Sequence, residues 1–267
     1  MTEDKLKQSI HQEIERATVK ILLNSIFMGT GFFITPDGYV LTAFHCIGEK
    51  ADIKEGFVER IQIELVPEKF FDAQLDYVKS APDNDIAVLK VNYSSEHYLP
   101  LSLISTEETD RYRDSRVVAL GYPAGRRYES IGIYSGEITR FSDDNKIEIN
   151  KVVKGTGQSG SVLYHYETQR VIGVVVEVVE IDKPNEVTHI ELAVRFESLF
   201  KTWPELQKIT DDVAKDWDKY LEQLGVTTPS EKVQNQGVAN VTQTVHNHGE
   251  TNKQVIIGHV DTLNIND

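Results

Sequence analysis

Short apolar segments separated by turn residues recur through most of this chain, and they constrain its fold more than any other feature. Runs rich in Val, Ile, Leu, Thr and aromatic residues alternate with clusters of Gly, Pro, Asp and Asn, which is typical of β-strands and their turns. So many strands predict an all-β domain of two small antiparallel barrels rather than a βαβ fold. The predicted strands are Thr18–Leu23, Gly29–Ile34, Tyr39–Ala43, Arg60–Val66, Phe70–Tyr77, Ile86–Val91, Val117–Gly121, Ile131–Arg140, Lys146–Val153, Ser161–His165, Val171–Val179 and His189–Val194.

Helical patterns flank the strands. Leu6, Ile10 and Ile14 recur at four-residue spacing, which predicts an amphipathic N-terminal helix. Further helices are predicted over Phe196–Phe200 and Leu206–Leu224, where Gly225 ends the second. The predicted organisation is an N-terminal helix (1–17), a two-barrel domain (18–200), a C-terminal helix and linker (201–229) and an Asn/Thr/Val-rich tail (230–267).

The tail alternates polar with β-branched residues, most clearly over Val238–Val245 and Gln254–Val260. This pattern predicts a short β-rich segment, and a lone two-stranded piece is only marginally stable. We therefore expect residues 230–267 to dock on themselves, on another copy or on a protein partner; a disordered tail is the alternative. His246, His248 and His259 raise the alternative of a zinc site, but a solvated polar face is favoured and no metal is predicted.

Charge and cysteine content exclude several functional classes. The 267 residues carry a net charge of −14, which argues against a nucleic-acid partner because phosphate binding needs a basic surface. Cys46 is the only cysteine, so no intrachain disulfide forms. Met1–Lys7 has no apolar signal-peptide core, and no run of about 18 apolar residues predicts a membrane span. Together these features predict a cytoplasmic protein.

One stretch carries the features of a nucleophile. Lys154–Val162 reads Lys-Gly-Thr-Gly-Gln-Ser-Gly-Ser-Val, and a serine between glycines on a tight turn exposes its hydroxyl. His45 follows a predicted strand, and Asp85 directly precedes another. A base and an orienting carboxylate thus come before Ser159 in the order His, Asp, Ser. Asp83 is the rival of Asp85, and Ser161 is the rival of Ser159.

Four motifs in this order resemble the trypsin-like serine peptidases, particularly the HtrA (Deg)-type and glutamyl-endopeptidase-like branches without a PDZ domain. The resemblance spans roughly residues 18–200. It implies that Ser159 is the nucleophile, His45 the general base and acid, and Asp85 the residue that orients the imidazole. It also implies an oxyanion hole formed by the N–H groups of Gly157 and Ser159, and chemistry without a metal or cofactor. The motifs are Gly29–Cys46, Asp85–Val91, Leu120–Gly125 and Gly155–Ser161.

The chain departs from the family pattern around the serine. Gln158 stands where the family usually has Asp or Asn, and Ser161-Val162 stands where it usually has Gly-Pro. Gln158 cannot form the ion pair with a freed N-terminus that activates trypsin-type zymogens, so proteolytic activation is not expected. Ser161 restricts the loop, which leaves open a distorted oxyanion hole.

The resemblance also implies the residues of the primary pocket, which binds the P1 side chain of a substrate. The base lies six residues before the serine, at Val153, and the walls come from Val175–Val178 and His189–Glu191. Branched side chains predict small or aliphatic P1 residues, whereas His189 favours acidic P1 as the alternative. The candidate substrate-binding residues are Val153, Val176, Glu177, His189 and Ile190.

These features together predict a serine endopeptidase that acts on a protein or peptide substrate through an acyl-enzyme. The tail and the cytoplasmic setting suggest a bacterial regulatory or defence-system effector protease recruited by residues 230–267. Two alternatives stay open: a peptidase-fold binding or adaptor module with little turnover, and a protein-quality-control protease.

Overall fold

The computed structural model describes residues 2–48, 60–65, 68–123, 130–153, 155, 157–183, 186–226, 244–247 and 250–253. The chain begins with helix α1 (Glu3–Ala17), whose acidic first turn complements the helix dipole. Ile10 and Ile14 are buried at i, i+4 spacing on one face of this helix. The apolar stripe in the sequence is therefore a packing surface.

Six strands form the first closed antiparallel barrel. Its strand order is β1-β2-β3-β6-β5-β4, with β1 paired to β4 to close it. The residues before β6 are thereby placed beside the end of β3, because these strands are neighbours although far apart in sequence. The strands are β1 (Thr18–Leu23), β2 (Ile26–Phe33), β3 (Tyr39–Ala43), β4 (Ile61–Leu65), β5 (Lys69–Leu75) and β6 (Ile86–Val91).

The second closed barrel repeats the arrangement. Its order is β10-β11-β12-β9-β8-β7, with β7 paired to β10. The two-barrel, all-β fold predicted from the sequence is confirmed, and most strand bounds differ by only a few residues. The strands are β7 (Arg116–Gly121), β8 (Gly132–Phe141), β9 (Lys146–Asn150), β10 (Val162–His165), β11 (Arg170–Lys183) and β12 (Glu186–Val194).

Helices α2 (Glu197–Thr202) and α3 (Leu206–Gln223) follow the second barrel. Trp217 and Leu221 of α3 are buried in a core shared with both barrels and with α1. The Tyr220 hydroxyl donates to the backbone carbonyl of Ser9 at 2.9 Å, so the C-terminal helix also contacts the N-terminal one. Within the described part of the chain, no helix is long and apolar enough to cross a bilayer.

The tail contains one described hairpin, in which β13 (Thr244–Asn247) pairs with β14 (Glu250–Lys253). The hairpin overlaps the predicted segment Val238–Val245 only at its last two residues, while residues 238–243 and Gln254–Val260 lie outside the described residues. His246 is on β13, whereas His248 and His259 also lie outside them. Among the residues that the structure describes, no group of His, Cys, Asp and Glu is arranged to hold a metal ion.

Candidate active site

His45 and Asp85 meet because their strands are neighbours. Ala43 at the end of β3 pairs with Ile86 at the start of β6, and His45 lies on a 3₁₀ turn directly after β3. The Asp85 carboxylate accepts two hydrogen bonds from the same residue: His45 Nδ1 bonds to Oδ2 at 2.7 Å, and the His45 backbone N–H donates to Oδ1 at 2.9 Å. This double contact fixes the imidazole plane and places Nε2 on the side away from the carboxylate.

The contact with Asp85 changes the acidity of the histidine. The hydrogen bond to Asp85 raises the pKa of the His45 imidazole to about 10, with a further contribution from Cys46 and an opposing one from partial burial. The raised pKa favours the protonated imidazole in the resting protein. In the predicted role of general base, His45 must first lose this proton, since a base must be neutral to accept another.

Ser159 lies on a tight turn before β10 that only glycine allows. Gly157 and Gly160 have positive φ values of 89° and 86°. A Cβ on Gly160 would collide with the backbone carbonyl of Thr30. The glycines on either side of Ser159 are thus required by backbone conformation and by close approach to the first barrel.

Thr30, in β2 of the first barrel, holds this turn from the opposite side. Its backbone N–H donates to the carbonyl of Ser159 at 2.8 Å, and its hydroxyl donates to the carbonyl of Gly157 at 3.0 Å. The same hydroxyl accepts the N–H of Tyr122 at 2.9 Å. No role for Thr30 was predicted from the sequence. The one local indication is its place as a small polar residue between Gly29 and Gly31.

The structure brings the backbone of Ser159 next to the turn that carries His45. The Cys46 thiol points at the Ser159 carbonyl, with 3.7 Å between Sγ and O. The Ser159 hydroxyl donates to the carbonyl of Val176 at 3.0 Å. In the described part of the chain, no hydrogen bond joins that hydroxyl to His45. If Ser159 is the predicted nucleophile, its hydroxyl must first give up the hydrogen bond to Val176.

The predicted oxyanion donors are both on the described turn. Neither the N–H of Gly157 nor that of Ser159 donates a hydrogen bond within the described residues, so both are available to an incoming anion. That they converge on one oxygen stays a prediction.

The structure distinguishes Ser159 and Asp85 from the two alternative residues, Ser161 and Asp83. Ser161 is fully buried, and its Oγ has no hydrogen-bond partner among the described atoms. Ser159 is partly exposed, so it is the accessible hydroxyl of the pair. It is Asp85, and not Asp83, whose carboxylate contacts His45.

The predicted pocket residues are described in part. Val153 is partly exposed, the Val176 side chain is buried, and Ile190 on β12 packs against the main core. The side chains of Glu177 and His189 lie outside the described part of the structure. Glu191, which the sequence analysis treated only as part of a wall, accepts the N–H groups of Val152 and Val153 at 2.7 and 2.8 Å.

A cleft of about 760 Å³ adjoins the site. Asp83, Asn84 and Asp85 line it from the first barrel, while residues 143–146 and Val176 line it from the second. It contains acidic and basic side chains together, so a polar extended chain fits its chemistry better than an apolar ligand.

Residues 29–174 match the model of the trypsin-like peptidase domain, a range that includes His45, Asp85 and Ser159. The chain belongs to the trypsin-like peptidase family. The family resemblance predicted from the four motifs is thus confirmed.

Within this family, the chain is similar to proteases of the HtrA type. It is 30% identical over 159 residues to a probable periplasmic serine endoprotease DegP-like protein of Rickettsia prowazekii, covering 56% of this chain and 28% of that protein. A protein of the same description from Rickettsia conorii is 26% identical over 187 residues, covering 64% and 34%. The chain thus spans about a third or less of these curated relatives.

A solved structure shows the same fold. The HtrA-type protease AlgW with decapeptide superposes with a TM-score of 0.55 at 16% identity, covering 75% of this chain and 67% of that one. At this identity the likeness supports the two-barrel architecture alone.

Proposed function

We propose that this chain is a serine endopeptidase that hydrolyses peptide bonds through an acyl-enzyme at Ser159. The observation that carries the proposal is the placing of the three predicted residues. The Asp85 carboxylate accepts hydrogen bonds from the ring and the backbone of His45. Thr30 of the same barrel binds the Ser159 turn. The membership of the trypsin-like peptidase family supports it. The solved structure of AlgW, a protein with this fold, is named with a decapeptide, which also supports a peptide substrate.

The residues of the site account for each proton in the reaction. Neutral His45 takes the proton of the Ser159 hydroxyl as Oγ attacks the scissile carbonyl carbon. The N–H groups of Gly157 and Ser159 bind the resulting oxyanion, and loss of one such donor typically costs about 10²–10³ in rate. His45 then protonates the leaving amine. Water, deprotonated by His45, then attacks the acyl carbon. The bond from that carbon to Ser159 Oγ breaks, and His45 returns the proton to Oγ.

A peptide-library cleavage assay tests this function. Wild-type protein is expected to cleave a subset of peptides, and Ser159→Ala and His45→Ala are expected to lose about 10⁴–10⁶ in kcat. Ser161→Ala is the matched control, because it removes a neighbouring hydroxyl that is buried. If folded wild-type protein cleaves no peptide at neutral or alkaline pH, the peptidase proposal is wrong.

A second candidate is a peptidase-fold binding module with little turnover. It is favoured by the Ser159 hydroxyl that is bonded to Val176 and by the protonated resting state of His45. Such a module would bind peptide equally well in wild type and Ser159→Ala, and it would not cleave it. A protein-quality-control protease is the third candidate, in keeping with the similarity to DegP-like proteins.

We further propose a cytoplasmic regulatory or defence-effector role in which residues 230–267 recruit or assemble the protease. The single cysteine and the composition of the tail support it; the curated relatives are described as periplasmic. Fractionation of cells that express the chain from its own gene tests the location. Recovery in the periplasm would contradict the cytoplasmic proposal and leave the peptidase proposal standing.

A further inference from the structure

The Glu191 carboxylate is hydrogen-bonded to Val152 and to Val153, the residue predicted to form the base of the primary pocket. Glu191 lies on β12, where its backbone pairs with Ile149 of β9 and Val178 of β11. Its Oε2 accepts the N–H groups of Val152 and Val153 at 2.7 and 2.8 Å. Val153 is the residue six positions before Ser159, and it is partly exposed. The carboxylate therefore lies beside the residue predicted to form the pocket base.

The segment that receives this carboxylate is itself fixed. The buried Gln158 side chain donates from Nε2 to the carbonyl of Val152 at 3.0 Å. Both the N–H and the carbonyl of Val152 are thus bound by side chains. Gln158 directly precedes Ser159, so one short loop couples the pocket base to the nucleophile. Glu191 cannot swing away without giving up two hydrogen bonds to this loop.

Among the residues that the structure describes, only one oxygen of the Glu191 carboxylate is hydrogen-bonded. Both hydrogen bonds go to Oε2, and within the described residues Oε1 has neither a hydrogen-bond partner nor a cation. The Glu191 residue is partly exposed. A carboxylate bound by only two N–H groups can accept a further hydrogen bond, and a cationic donor would form the strongest one.

We propose that Glu191 selects a basic side chain, lysine or arginine, at the P1 position of the substrate. This inference rests on the proposed peptidase function. The Oε1 atom would receive the ammonium or guanidinium group as a charge-assisted hydrogen bond. The same charge disfavours an acidic P1 residue, because two carboxylates in one pocket repel.

The inference differs from the small or aliphatic preference predicted from the sequence. That prediction rested on Val153, whose side chain is apolar, and on the branched residues of β11. The carboxylate comes from a different strand, 38 residues after Val153. A pocket with an apolar residue at the expected position can thus still carry a negative charge.

Paired substrates test the inference on the intact chain. The ratio of kcat/KM for an arginine-P1 peptide to that for the matched norleucine-P1 peptide is expected to favour arginine in wild type. Glu191→Gln keeps an oxygen that accepts both N–H bonds but removes the charge, so the ratio is expected to fall roughly 10- to 100-fold. Glu148→Gln is the matched control: it neutralises a carboxylate of the same sheet that is paired with Arg140, and the ratio should not change.

Benzamidine, an aryl cation, gives a second readout. It is expected to inhibit the wild type and the Glu148→Gln variant, and to inhibit Glu191→Gln much less. A wild-type ratio that favours norleucine, or a ratio that Glu191→Gln leaves unchanged, overturns the P1 inference and leaves the peptidase standing. Absence of cleavage of every peptide, with fluorophosphonate also failing to label folded wild type, overturns the proposed function and this inference together.

Discussion

At the scale of single residues, the site combines a tightly held histidine with a serine that is not yet engaged. Asp85 binds His45 through two atoms, whereas the Ser159 hydroxyl is bonded to Val176. Rotation about a staggered side-chain torsion is a small change compared with rebuilding a loop. In the proposed mechanism His45 must also lose its proton before Ser159 reacts, so we expect a defined pH dependence.

Activity is expected to rise with pH above the ordinary histidine range. The hydrogen bond to Asp85 raises the pKa of His45 from 6.5 to about 10, so kcat/KM should increase as the imidazole deprotonates in alkaline solution. Asp85→Asn should remove this shift and lower kcat by about 10⁴, as expected when the imidazole loses its orienting carboxylate. A pH–rate profile of both proteins checks this. An acid limb centred at or below 6.5 in wild type would contradict it.

The same shift has a consequence for folding stability. A group whose pKa is higher in the folded than in the unfolded state stabilises the fold below the unfolded pKa. The stabilisation from the His45–Asp85 pair is therefore fully present below pH 6.5, and it is lost as the pH rises through about 10. The pair is partly exposed, so solvent screening keeps this contribution small.

Ser161→Ala is expected to stabilise the protein and to leave the nucleophile intact. The Ser161 hydroxyl is buried without a hydrogen-bond partner among the described atoms, and an unsatisfied buried polar group costs about 1–3 kcal/mol. Denaturant unfolding should show a gain of about 1 kcal/mol or more. A loss of stability on substitution would mean that the hydroxyl makes a bond that this account leaves out.

At the scale of elements, the strands were predictable from the sequence, but the hydrogen bonds between segments far apart in the chain were not. Tyr39–Ala43 and Ile86–Val91 have β-branched and apolar residues bounded by turns, and both strands have the predicted bounds. The two hydrogen bonds from Thr30 to the Ser159 turn join residues far apart in sequence, so no local pattern shows them. The carboxylate of Glu191 was missed for the same reason, since its partners are on another segment.

The tail marks another limit of sequence patterns. Alternation of polar and β-branched residues predicted β structure in the right region, but the described hairpin joins Thr244–Asn247 to Glu250–Lys253. The latter segment, Glu-Thr-Asn-Lys, has little β-branched character. Antiparallel pairing with Thr244–Asn247, rather than its own composition, makes it a strand.

A buried ion pair connects the last helix to the second barrel. Arg170, at the start of β11, donates to Asp218 of α3 at 2.8 Å, and both side chains are about nine-tenths buried. Asp218→Ala leaves the guanidinium buried without its partner carboxylate, so we expect a loss of about 3–5 kcal/mol. Denaturant unfolding measures it.

The double variant Arg170→Met with Asp218→Leu is the control. Apolar residues of similar volume replace both charges, and such replacements of buried pairs are often neutral or stabilising. We therefore expect it to recover most of the stability lost in Asp218→Ala. If Asp218→Ala costs less than about 1 kcal/mol, the ion pair does not anchor α3.

At the scale of the whole molecule, each barrel contributes one part of the site. The first supplies His45, Asp85 and the Thr30 support, and the second supplies the Ser159 turn and the residues around Val153. The shared core of both barrels with α1 and α3 fixes the two halves against each other. This division was predictable from the order of the motifs. The His45 and Asp85 motifs lie on strands in the first half of the domain, and the Ser159 motif lies beside strands in the second half.

Removal of residues 230–267 tests the predicted assembly role of the tail. If the tail recruits another copy, the mass of the full chain in light scattering should exceed that of the truncated chain by more than the removed segment. If it recruits a different protein, a pull-down should lose that protein on truncation. Equal oligomeric state together with unchanged partner binding would contradict both forms of the proposal.

The central claim is that Ser159 is a nucleophile activated by His45. Intact-mass measurement after fluorophosphonate treatment tests it most directly, with the adduct mapped by peptide sequencing. The account predicts one adduct on Ser159 that forms faster as the pH rises, disappears in Ser159→Ala and forms much more slowly in His45→Ala. No adduct on the folded wild type in alkaline solution, or an adduct on a different residue, would contradict it.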